Sequence, residues 1–256
     1  PQQAQWLQRL ADEHDQLAGA LAWCAAAPER AALGLRLAAA LGRFWCMRGR
    51  LDEGKHWLTQ FLPTPAAEDE PQAQVDAGNA LARITFLESS FAAARDLSRR
   101  ALDLARRHEY EEGVETAQIS LGQALWELGD YPAAQRELEE IVRYSRALGH
   151  LNPLARGLNS LGLVMMHLGD HKAADACFGE SLAVNRQVGN QAGAATALYN
   201  LAMQAEHAGD FARAVLLYQE ALALQTALGS RSVVADIRVN LGTIAAAQGD
   251  FADKVW

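Results

Sequence analysis

The sequence predicts an all-α fold, a right-handed solenoid of stacked antiparallel helix hairpins. Three observations lead to this prediction: an alanine-rich composition that favours helix, turn residues that recur every forty positions, and a leucine with the same period. The 256 residues are 50% hydrophobic and carry a formal net charge of -8. This apolar content is enough for a substantial core, and it excludes a disordered or collagen-like chain.

Glycine–aspartate pairs mark the ends of the repeats. They occur four times at a spacing of forty residues, at Gly129-Asp130, Gly169-Asp170, Gly209-Asp210 and Gly249-Asp250. Glycine ends a helix in the left-handed conformation, and the aspartate then caps the next helix by accepting from its free N–H groups. Further stops at Gly149, Gly189 and Gly229 lie halfway between these pairs. Each repeat is therefore predicted to be two helices of about eighteen residues.

A leucine nine residues before each turn keeps the same period. The series is Leu41, Leu81, Leu121, Leu161, Leu201 and Leu241, and glycine or alanine follows every member. The small residue lets two helices approach closely while the leucine packs between them. A hairpin of this kind cannot cover its own apolar face, so neighbouring hairpins are expected to stack.

The period divides the chain into five segments. We expect a capping helix in 1–29, a degenerate hairpin in 30–62, a loop in 63–71, hairpins in register over 72–250, and the truncated start of a further helix in 251–256. The chain is expected to begin within a linker. Lys254 occupies a position that earlier repeats give to glycine or alanine, so the last residues are expected to be frayed or not native.

These residues resemble a known repeat. Leu121-Gly122, Gly129-Asp130-Tyr131, Ala134 and Leu138 resemble the signature of the tetratricopeptide (TPR) repeat. The forty-residue period is similar to the long-helix TPR variety of kinesin light chains, of mitotic-spindle scaffolds that hold G-protein regulators, and of bacterial peptide-responsive regulators. This resemblance implies a superhelix whose first helices line a concave groove.

The N-terminal sixty residues have a narrower likeness. Segments 10–17, 20–23, 35–41, 44–45, 48–49 and 53–58 resemble the start of the C-terminal TPR region of bacterial signal-transduction ATPase regulators. These regulators include LuxR-type and antibiotic-regulator-like transcription factors. That family usually has Asn or Asp where this chain has Gln16. The resemblance implies a nucleotide-binding and winged-helix module elsewhere in the protein. Arginine greatly outnumbers lysine, which is typical of a GC-rich bacterial genome.

The sequence contains no catalytic motif that we can identify. It lacks a G-x-x-x-x-G-K-[ST] phosphate loop, an H-E-x-x-H zinc motif and a G-x-S-x-G elbow, so we expect no enzyme activity and no cofactor. His167 and His171 are separated by the turn at Gly169-Asp170, which directs them apart and disfavours a metal site. Three distant cysteines cannot form a disulfide framework. Without a long apolar run or signal peptide, a cytoplasmic location is predicted.

The densest basic run is expected to be a solvated outer helix face. It comprises Arg95, Arg99, Arg100, Arg106 and Arg107. Asp96 and Asp103 are interleaved with these arginines, which favours pairing within the helix. Because the chain as a whole is acidic, direct contact with nucleic acid is disfavoured.

The inner groove is the better candidate for binding. The predicted groove residues are Trp126, Arg156, Asn159, Leu163, Met166, Tyr199, Asn200, Met203 and Asn240. In related TPR proteins an asparagine one residue before the leucine clamps the backbone of a bound peptide, and Asn200 and Asn240 match that position. Apolar area would supply affinity and a few polar groups would set orientation. Two other roles remain open: packing against a further turn of the superhelix, or hydrogen bonds from asparagine to neighbouring helices.

The leading hypothesis is a sensor or interaction domain of a multidomain bacterial transcriptional regulator. A peptide, a small effector or a partner protein would bind in the groove and change the superhelical pitch. The alternative is a passive scaffold or homo-oligomerisation module whose contacts lie on its convex face or open ends. An enzyme of unknown kind is a distant third, and no membrane contact is expected.

Overall fold

The computed structural model describes residues 2–247, and all regular secondary structure within this range is helical. The α-helices are α1 Gln2–Asp12, α2 His14–Ala25, α3 Ala31–Arg48, α4 Leu51–Phe61, α5 Pro71–Leu87, α6 Phe91–Arg107, α7 Glu111–Glu127, α8 Tyr131–Leu148, α9 Leu151–His167, α10 His171–Gln187, α11 Gln191–His207, α12 Phe211–Ala227 and α13 Arg231–Ala247. The expected further helix at 251–256, with Lys254, lies outside the described residues.

The helices form two compact units, Pro1–Ala134 and Gln135–Trp256. Within the first unit α5 packs on α6 and α6 on α7, and within the second α9, α10, α11 and α12 pack in succession. The first helices of adjacent hairpins also touch, α3 with α5 and α9 with α11. The prediction of an all-α fold built from stacked antiparallel hairpins is therefore confirmed in each unit.

The periodic leucines form the core between helices, as expected. Leu41, Leu81, Leu121, Leu161 and Leu201 are buried, and Leu241 is half-buried. The small residues that follow them mark close approaches. A β-carbon on Gly42 of α3 would overlap that of Ala80 on α5, and one on Gly162 would lie 2.5 Å from the ring of Phe178. The leucine and its small neighbour together set the spacing between helices.

Three helices of the second unit begin with the side-chain cap that the sequence predicts. The side chains of Asp170, Asn190 and Asp210 each accept a hydrogen bond from the backbone N–H three residues on, at 2.9, 3.1 and 3.1 Å. In the first unit the corresponding glycine is missing twice. Ser89 and Glu109 take its place with φ of 60° and 52°, in the left-handed region that glycine occupies elsewhere in the series.

The N-terminal region differs from the single capping helix expected in 1–29. The chain leaves helical geometry at Glu13, and α1 and α2 form on either side of it. His14, the first residue of α2, lies with its Nε2 2.9 Å from a carboxylate oxygen of Glu53 on α4. This contact joins the first turn of α2 to the first turn of α4. In the expected loop, Pro65–Ala67 form one turn of 3-10 helix before Pro71 opens α5.

Candidate ligand-binding face of the second unit

Eight of the nine predicted groove residues lie in the second unit, on the first helices of successive hairpins. Helix α9 carries Arg156, Asn159, Leu163 and Met166, helix α11 carries Tyr199, Asn200 and Met203, and helix α13 carries Asn240. The spacing of three and four residues on α9 places its members on one side of that helix. Arg156 is exposed, and the others except Asn200 are half-buried.

Trp126 is the ninth residue and belongs to the first unit. Its side chain is half-buried near the end of α7.

Asn200 is buried rather than exposed, with only 7% of its surface accessible. Its Nδ2 donates a hydrogen bond of 2.9 Å to Oδ1 of Asn159, which joins α11 to α9. This is the bond between neighbouring helices that the sequence left open as an alternative. An amide has two donors and an acceptor oxygen, so one bond leaves the Nδ2 group of Asn159 available. Asn159, the more exposed member, is therefore better placed than Asn200 to meet another molecule.

Asn240 belongs to a second polar cluster. Its Nδ2 donates to the hydroxyl of Tyr218 on α12 at 3.1 Å, and it lies 3.4 Å from the hydroxyl of Tyr199. The Tyr218 hydroxyl in turn donates to Oε2 of Glu206 at 2.9 Å. The two tyrosine rings meet edge to face with centroids 5.8 Å apart. Three helices, α11, α12 and α13, are thus joined through one hydroxyl.

Tyr218 was missed by the sequence analysis although it orders this face. Its side chain is completely buried, and burial together with the hydrogen bond to Glu206 raises the pKa of Tyr218. The hydroxyl therefore stays protonated and acts as a fixed donor. The equivalent positions forty and eighty residues earlier hold Phe178 and Leu138. A hydroxyl group in this otherwise apolar series is the feature of the sequence that could have pointed to Tyr218.

The two histidines considered for a metal site are held in different contacts. A ring nitrogen of His167 is hydrogen-bonded to the carbonyl of Leu163 at 2.9 Å. His171 packs on the ring of His207 with centroids 4.7 Å apart and shares a 3.1 Å hydrogen bond with Gln204. Within residues 2–247, no group of three or more His, Cys, Asp or Glu side chains is arranged to hold a metal ion. In the same range, no helix has the length and apolar character needed to cross a bilayer.

The second helices carry a ladder of ion pairs that the sequence analysis also missed. Arg146 on α8 contacts both carboxylate oxygens of Glu180 on α10 at 2.8 Å, and Arg186 pairs with Glu220 on α12 one repeat later. The partners are 34 residues apart, so the pairing appears only when hairpins are stacked. Each pair is about half exposed, which makes its contribution to stability small.

Comparison with known proteins places this geometry among tetratricopeptide repeats. Residues 153–227, which span α9 to α12, match the tetratricopeptide repeat family. A search of curated proteins found no match.

Several solved structures share the fold at low sequence identity. A Rap protein complexed with Competence and Sporulation Factor superposes with a TM-score of 0.73 at 16% identity, over 80% of this chain and 58% of that one. The apo quorum sensor NprR from B. thuringiensis superposes with a TM-score of 0.66 at 15% sequence identity, and the match covers 96% of this chain and 79% of that one. A signal transduction ATPase with a tetratricopeptide repeat sensor from Pyrococcus horikoshii superposes with a TM-score of 0.66 at 11% sequence identity. This match covers 82% of this chain and 32% of that protein.

At these identities the structural matches establish the fold and nothing further. The chain has a TPR-type helical fold, and its residues 153–227 carry a recognisable tetratricopeptide repeat sequence.

Proposed function

We propose that the chain is the binding module of a cytoplasmic, multidomain bacterial transcriptional regulator. In this proposal the face of α9, α11 and α13 binds a peptide, a small effector or a segment of a partner protein. The observation that carries it is the row of half-buried amide, aromatic and thioether side chains on these helices. A face of this composition is typical of ligand sites, in which apolar area is combined with a few oriented polar groups.

The residues of this face divide into two roles. Leu163, Met166 and Met203 offer half-buried apolar surface, and methionine adapts to ligands of imperfect shape. Asn159 and Asn240 offer amides that can donate to and accept from one peptide unit without selecting a sequence. Asn200 acts behind them as a positioning residue, because its bond to Asn159 fixes the orientation of that amide.

Two likenesses support the regulatory part of the proposal. One is the resemblance of the N-terminal segments to signal-transduction ATPase regulators. The other is the match to solved proteins described as a Rap protein bound to Competence and Sporulation Factor and as an ATPase with a repeat sensor. In a stack where each hairpin contacts only its neighbours, small rotations on binding add along the chain and can be transmitted.

The test selects a ligand and then removes its proposed contacts. A random peptide library would be screened against the purified chain, and the affinity of one selected peptide would be measured by calorimetry. We expect Asn159→Ala and Asn240→Ala each to weaken binding by about tenfold, which corresponds to about 1.4 kcal/mol. Asn200→Ala should weaken it less, because that side chain acts through Asn159.

Leu216→Ala is the matched control. Leu216 on α12 is 68% exposed, so its truncation should leave both the fold and the affinity unchanged. If Asn159→Ala and Asn240→Ala bind as well as the unaltered chain, this face is not the binding site.

A second candidate function is the passive scaffold or homo-oligomer. Leu216 and Val239 favour it, since they are 68% and 67% exposed and would be expected to find a partner surface. Light scattering during size-exclusion chromatography distinguishes the two functions. A concentration-dependent dimer that dissociates on Val239→Ser and shows no response to peptides would favour the scaffold.

A further inference from the structure

The first unit carries a different inner face, on helices α3 and α5. Arg43 and Arg83 occupy equivalent positions forty residues apart, and both side chains are exposed. Among the residues that the structure describes, neither has an acidic partner within ion-pair distance. One turn further along each helix lies an apolar residue with much of its surface accessible, 47% for Met47 and 40% for Leu87. The same pairing of a cation with an apolar side chain is therefore presented twice.

Two contacts show that α3 and α5 lie side by side. Arg36 on α3 reaches Glu70, the residue just before α5, at 3.8 Å, and a β-carbon on Gly42 would overlap that of Ala80. The numbers rise together along both helices, so α3 and α5 run in parallel. Since Gly42 lies beside Ala80, Arg83 stands about two residues, or roughly 3 Å, further along the common axis than Arg43.

The acidic groups around the start of α5 are already engaged. The Glu70 carboxylate lies against Arg36, and the Asp76 carboxylate accepts a hydrogen bond of 3.1 Å from the hydroxyl of Tyr110. The guanidinium of Arg83 lies over the ring of Phe86, 5.4 Å from its centroid. Stacking of this kind orders the guanidinium plane and leaves its N–H groups free to donate. The seam therefore offers two exposed cations without an acidic partner among the described residues, and the ring of Phe86 orders one of them, Arg83.

We propose that the α3–α5 seam binds an acidic, amphipathic peptide segment of a partner protein. Two of its carboxylates would pair with Arg43 and Arg83, and its apolar side chains would cover Met47 and Leu87. Guanidinium groups bind carboxylates through paired, charge-assisted hydrogen bonds. The apolar residues distinguish this surface from a site for a bare anion. Two cations on a chain of net charge -8 are also too few to hold a nucleic-acid backbone, which relies on many phosphate contacts.

This inference is independent of the proposed function, because all its residues belong to the first unit. The test uses the full chain and a fluorescein-labelled peptide in which glutamate alternates with leucine. A peptide with glutamine in place of glutamate and a single-stranded oligothymidylate serve as comparison probes. Fluorescence anisotropy is measured at low and at physiological salt.

We expect the glutamate peptide to bind and the double variant Arg43→Gln/Arg83→Gln to weaken it by about tenfold or more. Met47→Ser/Leu87→Ser should weaken the same peptide by a smaller factor. The control is Arg99→Gln/Arg100→Gln, which removes two exposed arginines from α6 and should change the affinity less than twofold. Circular dichroism establishes that each variant is folded as the unaltered chain is.

Four results would overturn the proposal. They are no binding of the glutamate peptide, equal binding of the glutamine peptide, equal losses in the control and in the Arg43/Arg83 variant, and tighter binding of oligothymidylate. The last result would assign the seam to nucleic acid instead.

Discussion

The two units place different chemistry at one position of the same hairpin. Two residues after the periodic leucine, α3 and α5 of the first unit have Arg43 and Arg83, whereas α9 and α11 of the second have Leu163 and Met203. The backbone frame is shared, because the leucine and the small residue beside it are kept in both units. The inner face of the first helices is therefore free to vary in charge while the packing between helices stays fixed.

The two units also differ in the residues that end one helix and begin the next. In the second unit each turn has a glycine with positive φ, and the side chains of Asp170, Asn190 and Asp210 cap the helices that follow. In the first unit Ser89 and Glu109 adopt left-handed geometry, and α6 and α7 start without a side-chain cap. The predicted turn and cap return at the end of that unit, at Gly129 and Asp130, whereas α9 of the second unit starts without a side-chain cap. The hairpin thus tolerates poor turn chemistry when its packing is intact, at a cost in local stability.

The largest predicted effect tests whether close packing is the feature common to both units. Gly42→Ala in the first unit and Gly162→Ala in the second should each lower the free energy of unfolding by about 2 kcal/mol, because the added methyl group would overlap Ala80 or Phe178 on the neighbouring helix. Gly179→Ala is the matched control, since a β-carbon there meets nothing within 4 Å. It should stabilise the chain by about 0.5–1 kcal/mol by favouring helix. Urea unfolding measures the free energy of unfolding of all three variants. Equal effects at Gly162 and Gly179 would contradict the idea that close helix packing at these glycines stabilises the fold.

The next effect compares two tyrosine–carboxylate pairs, one in each unit. Tyr218 is fully buried and donates a hydrogen bond to Glu206, whereas Tyr110 is half-buried and donates a hydrogen bond to Asp76. Tyr218→Phe should cost about 1–2 kcal/mol, because it leaves polar groups on two neighbouring helices without their partner. Tyr110→Phe should cost less, since water can replace the lost hydroxyl. Thermal unfolding of the two variants checks the order, and a reversed order would mean that burial of the hydroxyl does not set the cost.

The smallest effect concerns the helix ends. Ser89→Gly and Glu109→Gly should each stabilise the first unit by about 0.5–1 kcal/mol, because glycine takes a positive φ without strain. The reverse change in the second unit, Gly169→Ala, should destabilise it by about 1 kcal/mol. Denaturant midpoints report both changes. If Ser89→Gly and Gly169→Ala shift the midpoint in the same direction, turn geometry is not what separates the two units.

The sequence alone determined the repeating frame of this protein. Leucine, a small residue and a glycine–aspartate turn at a fixed period predicted the helices and their pairing, because each of these signals acts on the backbone within one or two turns of itself. The same period predicted which helices carry the candidate binding residues.

Tertiary structure decided which of those side chains face outward and which bond to one another. Asn200 is turned onto Asn159 of the neighbouring hairpin, and Tyr218 joins Glu206 to Asn240. The partners come from different helices, 41 residues apart for the two asparagines, so their meeting depends on the offset between stacked hairpins. That offset is set by packing of the whole unit, and a periodic pattern within one helix does not contain it.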